Sequence, residues 1–282
     1  MKKLLLIALL STTSVFSNIN VIVSIIPQKT FLQAIGKEKI NITLMVQAGN
    51  SPHTYEPKPS QMLSVSKADL YLSMGVEFEK VWLPKFHDLN SKMHIVDLSQ
   101  GIQKLPMQHD AHHGKAKIAH ERLDPHTWTS PQNVKIIANN IYKALVKQDA
   151  KNSAYYRKNL EDFLRKIDLL DKNITHILAP LKNERTFMVF HPSWGYFAHS
   201  YNLKQIAVEV SGKTPKPREL VSLIRTAKSA HVHAIFTQPE FSDNSAKIIA
   251  KELHIPVVKI SPMAKDWAKN LLFMAQTIAG KK

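Results

Sequence analysis

One long amphipathic segment near the middle of the chain limits how the rest of it can fold. Between positions 152 and 181, apolar residues recur at intervals of three and four, and polar residues fill most of the other positions. This spacing predicts a helix of about 27 residues that spans about 40 Å. We interpret 151–181 as a rigid helix that connects two lobes, with an ordinary long surface helix as the alternative.

Short apolar runs rich in β-branched residues alternate with helical patterns on both sides of this segment. This alternation predicts mostly parallel sheets flanked by helices. The sequence therefore predicts an α/β fold with an N-terminal lobe at 18–150, the connecting helix at 151–181 and a C-terminal lobe at 182–282. The predicted strands are INVIVSI (19–25), KINITLMV (39–46), LYLSMG (70–75), HIVDLS (94–99), TFMVF (186–190), QIAVEV (205–210), AIFTQ (234–238) and PVVKI (256–260).

The first 17 residues, MKKLLLIALLSTTSVFS, have the composition of a cleaved secretory signal peptide. Their apolar run is too short to span a bilayer as a helix. The chain contains no cysteine, so neither a disulfide nor a lipid on a cysteine at the cleavage site is expected. We therefore predict a periplasmic protein without a lipid anchor, whose stability depends on its apolar core.

The formal net charge is +16, a balance that can indicate a nucleic acid or an anionic surface as partner. However, the lysines are scattered along the chain, and no basic block interleaved with aromatic residues and no nucleic-acid-binding motif is present. We interpret the charge as a solvated lysine-rich surface and expect no nucleic acid partner.

Three histidines lie in similar proline- and aromatic-flanked turns: His53 in SPHTYEP, His126 in LDPHTWTSP and His191 in FHPSWGYF. His53 and His191 follow predicted strands, and ligands of parallel sheets bind beyond the carboxyl ends of strands. Prolines stiffen these turns, and neutral imidazoles in stiff loops suit Zn²⁺. The pattern favours a metal site in the cleft between the lobes, although each histidine alone could be an ordinary packed residue. The aromatic neighbours expected to wall the site are Tyr55, Trp128 and Trp194.

Three segments together, GNSPHTYEPKPSQM, LDPHTWTSPQN and HPSWGYFAHSYNL, resemble the metal-binding proteins of bacterial zinc and manganese ABC importers, and more narrowly the ZnuA type. The resemblance implies two α/β lobes joined by a rigid helix, with metal bound in the cleft by His53, His126 and His191. Manganese-binding members carry a carboxylate at the third position, so His191 favours Zn²⁺. The implied function is a periplasmic monomer that captures Zn²⁺ and delivers it to an ABC permease in the inner membrane.

The sequence departs from the family's pattern in two places. Members often supply an aspartate after the last strand, whereas this chain has Ser261, so the fourth ligand could be water or the later Asp266. Zinc members also often carry a long histidine-rich loop in the first lobe. The corresponding short segment here is either a low-affinity zinc collector or a polar loop, and its candidate ligands are His109, Asp110, His112, His113 and His120.

Other functions remain open from the residues alone. Three histidines and a water could form a hydrolytic zinc site with Glu56 as the base, but there is no His-Glu-x-x-His motif. A manganese-binding homologue is the second alternative, and a surface adhesin lacks any anchoring motif. We predict a binding protein rather than an enzyme. Glu209 and Glu240 are candidate partners of an imidazole, and the histidines interpreted as structural or surface residues are His199, His231, His233 and His254.

Overall fold

The structure is a computed structural model that describes residues 18–107, 123–182, 185–210 and 213–281. The predicted signal peptide at 1–17 lies outside the described residues. So does the predicted zinc-collecting segment, which contains His109, Asp110, His112, His113 and His120. Among the helices that the structure does describe, none combines the length and apolarity needed to cross a membrane.

The first half of the chain forms a parallel four-stranded sheet in the order β2-β1-β3-β4. The chain runs outward from β1 to β2 and returns to place β3 on the other side of β1, so the loops that follow these strands open into a crevice. The strands are β1 (Ile19–Val23), β2 (Ile40–Leu44), β3 (Leu70–Ser73) and β4 (His94–Asp97), and the helices are α1 (Ile26–Gly36), α2 (Pro59–Val65) and α3 (Glu77–Leu89).

The second half repeats this topology, with a parallel sheet in the order β6-β5-β7-β8. All eight predicted strands are confirmed, although each is shorter than its apolar run. The strands are β5 (Thr186–Val189), β6 (Lys204–Ala207), β7 (Ile235–Thr237) and β8 (Val257–Lys259). Between the strands of the two halves lie α4 (Pro131–Gln148) and the long helix α5 (Ser153–Leu178). The helices that follow β5 are α6 (Gly195–Ser200), α7 (Pro217–Ser229), α8 (Asn244–Leu253) and α9 (Trp267–Ile278).

The helix α5 separates the two sheets and contains 26 residues, which corresponds to about 39 Å. It packs against α1, α4 and α9, so elements from both ends of the chain lie along it. The two-lobe α/β fold with a long central helix is therefore confirmed. However, α9 contacts the first lobe, since its Trp267 packs edge-on against Phe31 at 5.1 Å between ring centroids. The start of the C-terminal lobe at 182 therefore stays a prediction.

The helices α4 and α2 begin in different ways. Ser130 caps α4, since its hydroxyl accepts a hydrogen bond from the Asn133 amide at 3.4 Å. In α2, Pro59 occupies the first turn, a position that its fixed φ suits. The Gln61 side chain there accepts from the backbone amide of Lys58 at 2.9 Å.

The larger of the two apolar clusters among the described residues extends through both lobes. It joins the first sheet, α4, α5 and α9 to Phe187, Val189, Trp194 and Phe236 of the second lobe. Trp128 is fully buried at the junction. Its indole N–H donates to the carbonyl of Pro262 at 2.8 Å, and its own carbonyl accepts from the indole of Trp267 at 2.8 Å. These contacts hold the lobes together beside the crevice.

Candidate metal centre

The structure brings the three histidines together between the lobes. His53 lies in the loop between β2 and α2, His126 precedes the short helical turn Thr127–Thr129, and His191 follows β5. The ring centroids are 4.9 Å apart for His53 and His191, 5.4 Å for His126 and His191, and 6.1 Å for His53 and His126. One nitrogen of each ring lies within 4.8 Å of the others, a spacing suited to one metal ion.

Each imidazole is bonded through Nδ1 to a carboxylate of its own lobe. An ionised carboxylate only accepts hydrogen bonds, so Nδ1 carries a proton and Nε2 keeps its lone pair for a metal. This arrangement fixes the tautomer and the orientation of the ring. The distances are 2.8 Å for His53–Glu77, 2.7 Å for His126–Asp124 and 2.9 Å for His191–Glu209.

His191 is the most constrained of the three. The Gln238 side chain accepts from its backbone N–H at 3.2 Å and donates to its carbonyl at 2.8 Å, while Phe241 stacks on the ring at 4.9 Å. Burial lowers the pKa of His191, and the bond to Glu209 opposes this effect only in part. Its Nε2 atom is buried without a hydrogen-bond partner among the described residues, an arrangement that a bound cation would satisfy.

His53 forms the outermost wall of the site, with 22% of its side chain exposed. Its loop is attached to α3, because the Phe78 amide donates to the carbonyl of Pro52 at 3.3 Å. Burial alone would raise the pKa of Glu77, but the hydrogen bond and charge of His53 outweigh burial and lower this pKa to about 2. Glu77 therefore stays ionised and keeps orienting His53 at any physiological pH.

Asp124 is held in place by the second lobe. Its carboxylate accepts from both the backbone amide and the Nδ1 of His126, at 2.9 and 2.7 Å. A Cβ atom added at Gly195 would lie 2.6 Å from Asp124 Oδ2, so only glycine allows α6 to pack this closely. The Tyr196 hydroxyl donates to the carbonyl of Asp124 at 2.9 Å. The position of His126 therefore depends on contact between the lobes.

The cavity between the imidazoles is small and has mostly apolar walls, including Trp128, Phe241, Pro262 and Met263. Its volume of about 20 Å³ is close to the space of one water molecule or one ion. Of the aromatic residues expected to wall the site, Trp128 does so. Tyr55 instead bonds Gln61 at 2.7 Å and packs on Phe78, and Trp194 is buried against Phe197, so neither lines this cavity.

The structure also shows where the other suggested ligands and imidazole partners lie. Asp266 does not line the cavity, since 76% of its side chain is exposed and it pairs with Lys269 at 3.2 Å. Glu209 does bond an imidazole. Glu240 lines the cavity but bonds none of the three imidazoles, and burial raises its pKa. The four histidines interpreted as structural or surface residues are exposed: His199, His231, His233 and His254.

Two of the three carboxylate partners, Asp124 and Glu77, were not predicted from the sequence. Asp124 could have been found, because it lies two residues before His126 in the Asp-Pro-His motif. Glu77 could not, because it begins α3, far along the chain from His53, and only the packing of α3 against the His53 loop brings them together.

The comparisons with known proteins agree with this fold. The family described as zinc-uptake complex component A, periplasmic (ZnuA), matches residues 21–280. The chain belongs to this family. A crystal structure of ZnuA superposes with a TM-score of 0.86 at 40% identity, covering 94% of this chain and 99% of that one. The ZnuA family therefore gives both the two-lobe fold and the class of protein, the metal-binding component of an ABC importer.

Individual relatives of this ZnuA-family chain differ in the metal that they are named for. The high-affinity zinc uptake system protein ZnuA of Bacillus subtilis is 28% identical over 250 residues, which cover 86% of this chain and 78% of its own. The manganese ABC transporter substrate-binding lipoprotein scaA of Streptococcus gordonii is 30% identical over 261 residues, which cover 88% and 80%. Members of this class bind a metal for transport and work with a membrane permease, so membership indicates metal transport without deciding the metal.

Proposed function

We propose that this protein captures Zn²⁺ in the periplasm with His53, His126 and His191 and delivers it to the permease of a zinc ABC importer. The observation that carries the proposal is the convergence of three imidazoles whose Nδ1 atoms are all bonded to carboxylates. Three nitrogen ligands suit Zn²⁺, whereas Mn²⁺ prefers oxygen ligands. The protein would act as a monomer without a lipid anchor, after removal of residues 1–17.

Release of the ion would follow from the division of its ligands between lobes. His53 and His126 belong to the first lobe and His191 to the second, so a small displacement of one lobe separates the ligands. The long helix α5 and the bonds of Trp128 restrict this displacement. We expect the permease to supply the energy for it by binding the two lobes in a slightly different relative position.

A hydrolytic zinc enzyme is disfavoured by the size of the site. A cavity of about 20 Å³ accommodates an ion but not an ester or peptide group beside it. Glu56, the base considered for such a reaction, is exposed and does not line the cavity. The site therefore supports binding rather than turnover.

The proposal is tested by competitive titration of the metal-free protein, without residues 1–17, with Zn²⁺ against Mn²⁺. We expect one Zn²⁺ per chain at the histidine site and displacement of bound Mn²⁺ by an equal concentration of Zn²⁺. Preferential binding of Mn²⁺ would instead identify a manganese carrier. Cell fractionation provides a separate test, because retention of the protein on the outer surface would contradict a periplasmic role.

Zinc affinity is expected to fall as the pH is lowered, because only neutral imidazoles bind the ion and protons compete for them. An ordinary histidine has a pKa of about 6.5. Burial lowers the pKa of His191, so this residue stays neutral below that pH and contributes to the fall only in more acidic solution. Titrations at pH 7.5, 6.5 and 5.5 measure the effect, and affinity that stayed constant over this range would contradict imidazole ligation.

Replacing Asp124 by asparagine is expected to weaken Zn²⁺ binding about 10- to 100-fold, the usual effect of losing a partner that orients a ligand. The amide is neutral and presents a donor group, so it no longer fixes the tautomer of His126 as firmly. The measurement is the same competitive titration, with Asp88→Asn as the matched control on the exposed surface of the first lobe. Equal affinities of the two variants would remove Asp124 from the site.

A further inference from the structure

We propose that Glu240 is the fourth protein ligand of the bound ion and turns its carboxylate onto the metal when the ion enters. This inference rests on the proposed function, since it completes the same site. Three imidazoles leave one corner of a tetrahedral zinc site open, and the structure offers one acidic side chain for it.

The other acidic residues around the site are already engaged. Glu77, Asp124 and Glu209 each accept a hydrogen bond from the Nδ1 of a histidine, on the side of the ring away from Nε2. Glu240 bonds none of these imidazoles and lines the cavity between them. Among the described residues, it is the one acidic residue in the lining of that cavity.

The fold places Glu240 close to His191. It lies in the turn between β7 and α8, directly before Phe241, whose ring stacks on the His191 imidazole at 4.9 Å and an interplanar angle of 25°. The neighbouring strand β5 leads into His191 itself, and β5 and β7 are paired. The position of the Glu240 backbone relative to His191 is therefore fixed by adjacent strands of one sheet.

The carboxylate of Glu240 is held by few contacts. The Ser261 hydroxyl donates to its Oε1 at 3.5 Å, a separation at the outer limit of a hydrogen bond. That hydroxyl is itself positioned by the Met263 amide, which donates to it at 3.0 Å. No lysine or arginine of the described residues pairs with Glu240, and its oxygens are not among the ligand atoms that lie within 4.8 Å of one another. A rotation of the side chain is thus required and is opposed by the long Ser261 bond and by the contact of the carboxylate with the backbone amide of Glu240.

Burial supplies the reason for this rotation. Glu240 is half-buried against apolar walls, and a carboxylate in such surroundings is unfavourable unless a cation or a hydrogen-bond donor compensates for the lost water. A divalent ion held by three neutral imidazoles is a strong compensating charge. Moving from the Ser261 hydroxyl to the metal replaces a long hydrogen bond by a metal–oxygen bond.

An oxygen ligand at this corner would also influence selectivity. Carboxylates suit Mn²⁺ better than imidazoles do, so Glu240 would contribute a larger share of the affinity for Mn²⁺ than of the affinity for Zn²⁺. Loss of its charge would weaken the binding of both ions and increase the preference for Zn²⁺.

The test compares the full mature protein with E240Q, which keeps the shape of the side chain and removes its charge. E252Q is the matched control, an exposed glutamate on α8 of the same lobe. Metal-free forms are first compared by circular dichroism and thermal unfolding, and Zn²⁺ and Mn²⁺ affinities are then measured by competition. For E240Q we expect at least about a tenfold loss for Zn²⁺ and a larger loss for Mn²⁺, with E252Q unchanged.

The His191→Ala variant distinguishes a failure of the Glu240 inference from a failure of the proposed histidine site. If E240Q binds both ions like the unmodified protein while His191→Ala loses Zn²⁺, the fourth ligand is water and this inference is wrong, although the proposed function stands. If both variants keep full affinity, the histidine site itself is wrong. A crystal structure of the zinc-loaded protein is an independent test: we expect a Glu240 oxygen at about 2.0–2.2 Å from the ion, and a carboxylate still at Ser261 would overturn the proposal.

Discussion

Replacing His191 by alanine is expected to lower the affinity for Zn²⁺ by more than about 100-fold. Loss of a residue that only orients a metal ligand lowers the affinity by at most about 100-fold, and loss of a ligand is expected to cost more. The reason is that the substitution removes a ligand itself, and the one contributed by the second lobe. It also leaves Glu209 buried without the imidazole that donates to it at 2.9 Å. Competitive titration against a chromophoric chelator measures the loss.

The control for this variant is His233→Ala, an exposed histidine of the same lobe, which is expected to bind Zn²⁺ like the unmodified protein. Tight Zn²⁺ binding that survived His191→Ala would mean that the ion is held elsewhere. The predicted collecting segment is then the first place to examine, by replacing its candidate ligands His109, Asp110, His112, His113 and His120.

Replacing Trp128 by alanine is expected to lower the free energy of unfolding by about 3–5 kcal/mol, the usual range for a buried tryptophan. The side chain is fully buried at the junction of the lobes. Its removal opens a cavity and leaves the carbonyl of Pro262 without the donor that bonds it at 2.8 Å. The same indole forms a wall of the metal cavity, so we also expect weaker Zn²⁺ binding.

Chemical denaturation of the metal-free protein measures the stability change without contributions from bound ion. Trp82→Ala is the matched control, because Trp82 is only half-buried on α3 and its ring faces the Lys85 ammonium at 4.3 Å. We expect a clearly smaller loss of stability there. Equal losses of unfolding free energy in the two variants would contradict a stabilising role of Trp128 at the junction of the lobes.

The features predicted correctly from sequence depend on local patterns. Alternating apolar runs identified all eight strands, and the helical periodicity of α5 identified the connection between the sheets. The three histidines were found because each lies in the same proline- and aromatic-flanked frame. Such patterns follow from the geometry of a single strand, helix or turn, so they can be recognised without knowing what lies beside it.

The features that were missed depend on contacts between distant segments. Asp266 follows the last strand closely in sequence, but its position immediately before α9 leaves its side chain in solvent beside Lys269. Glu77 was overlooked because the approach of α3 to the His53 loop has no local signature. Tyr55 and Trp194 lie in the histidine motifs, but they pack on Phe78 and Phe197 of their own lobes. A bulky side chain next to a ligand can pack on either side of its loop, and the motif does not indicate which side.

The shared apolar core has a consequence for how such proteins can be altered. Residues of both sheets, α5 and α9 belong to one continuous cluster, and Asp124 of the first lobe fits against Gly195 of the second. A chimera made by grafting one lobe onto a relative's other lobe would join two surfaces that were not shaped for each other. Changes of metal preference are therefore more accessible through single side chains at the cavity than through exchange of whole lobes.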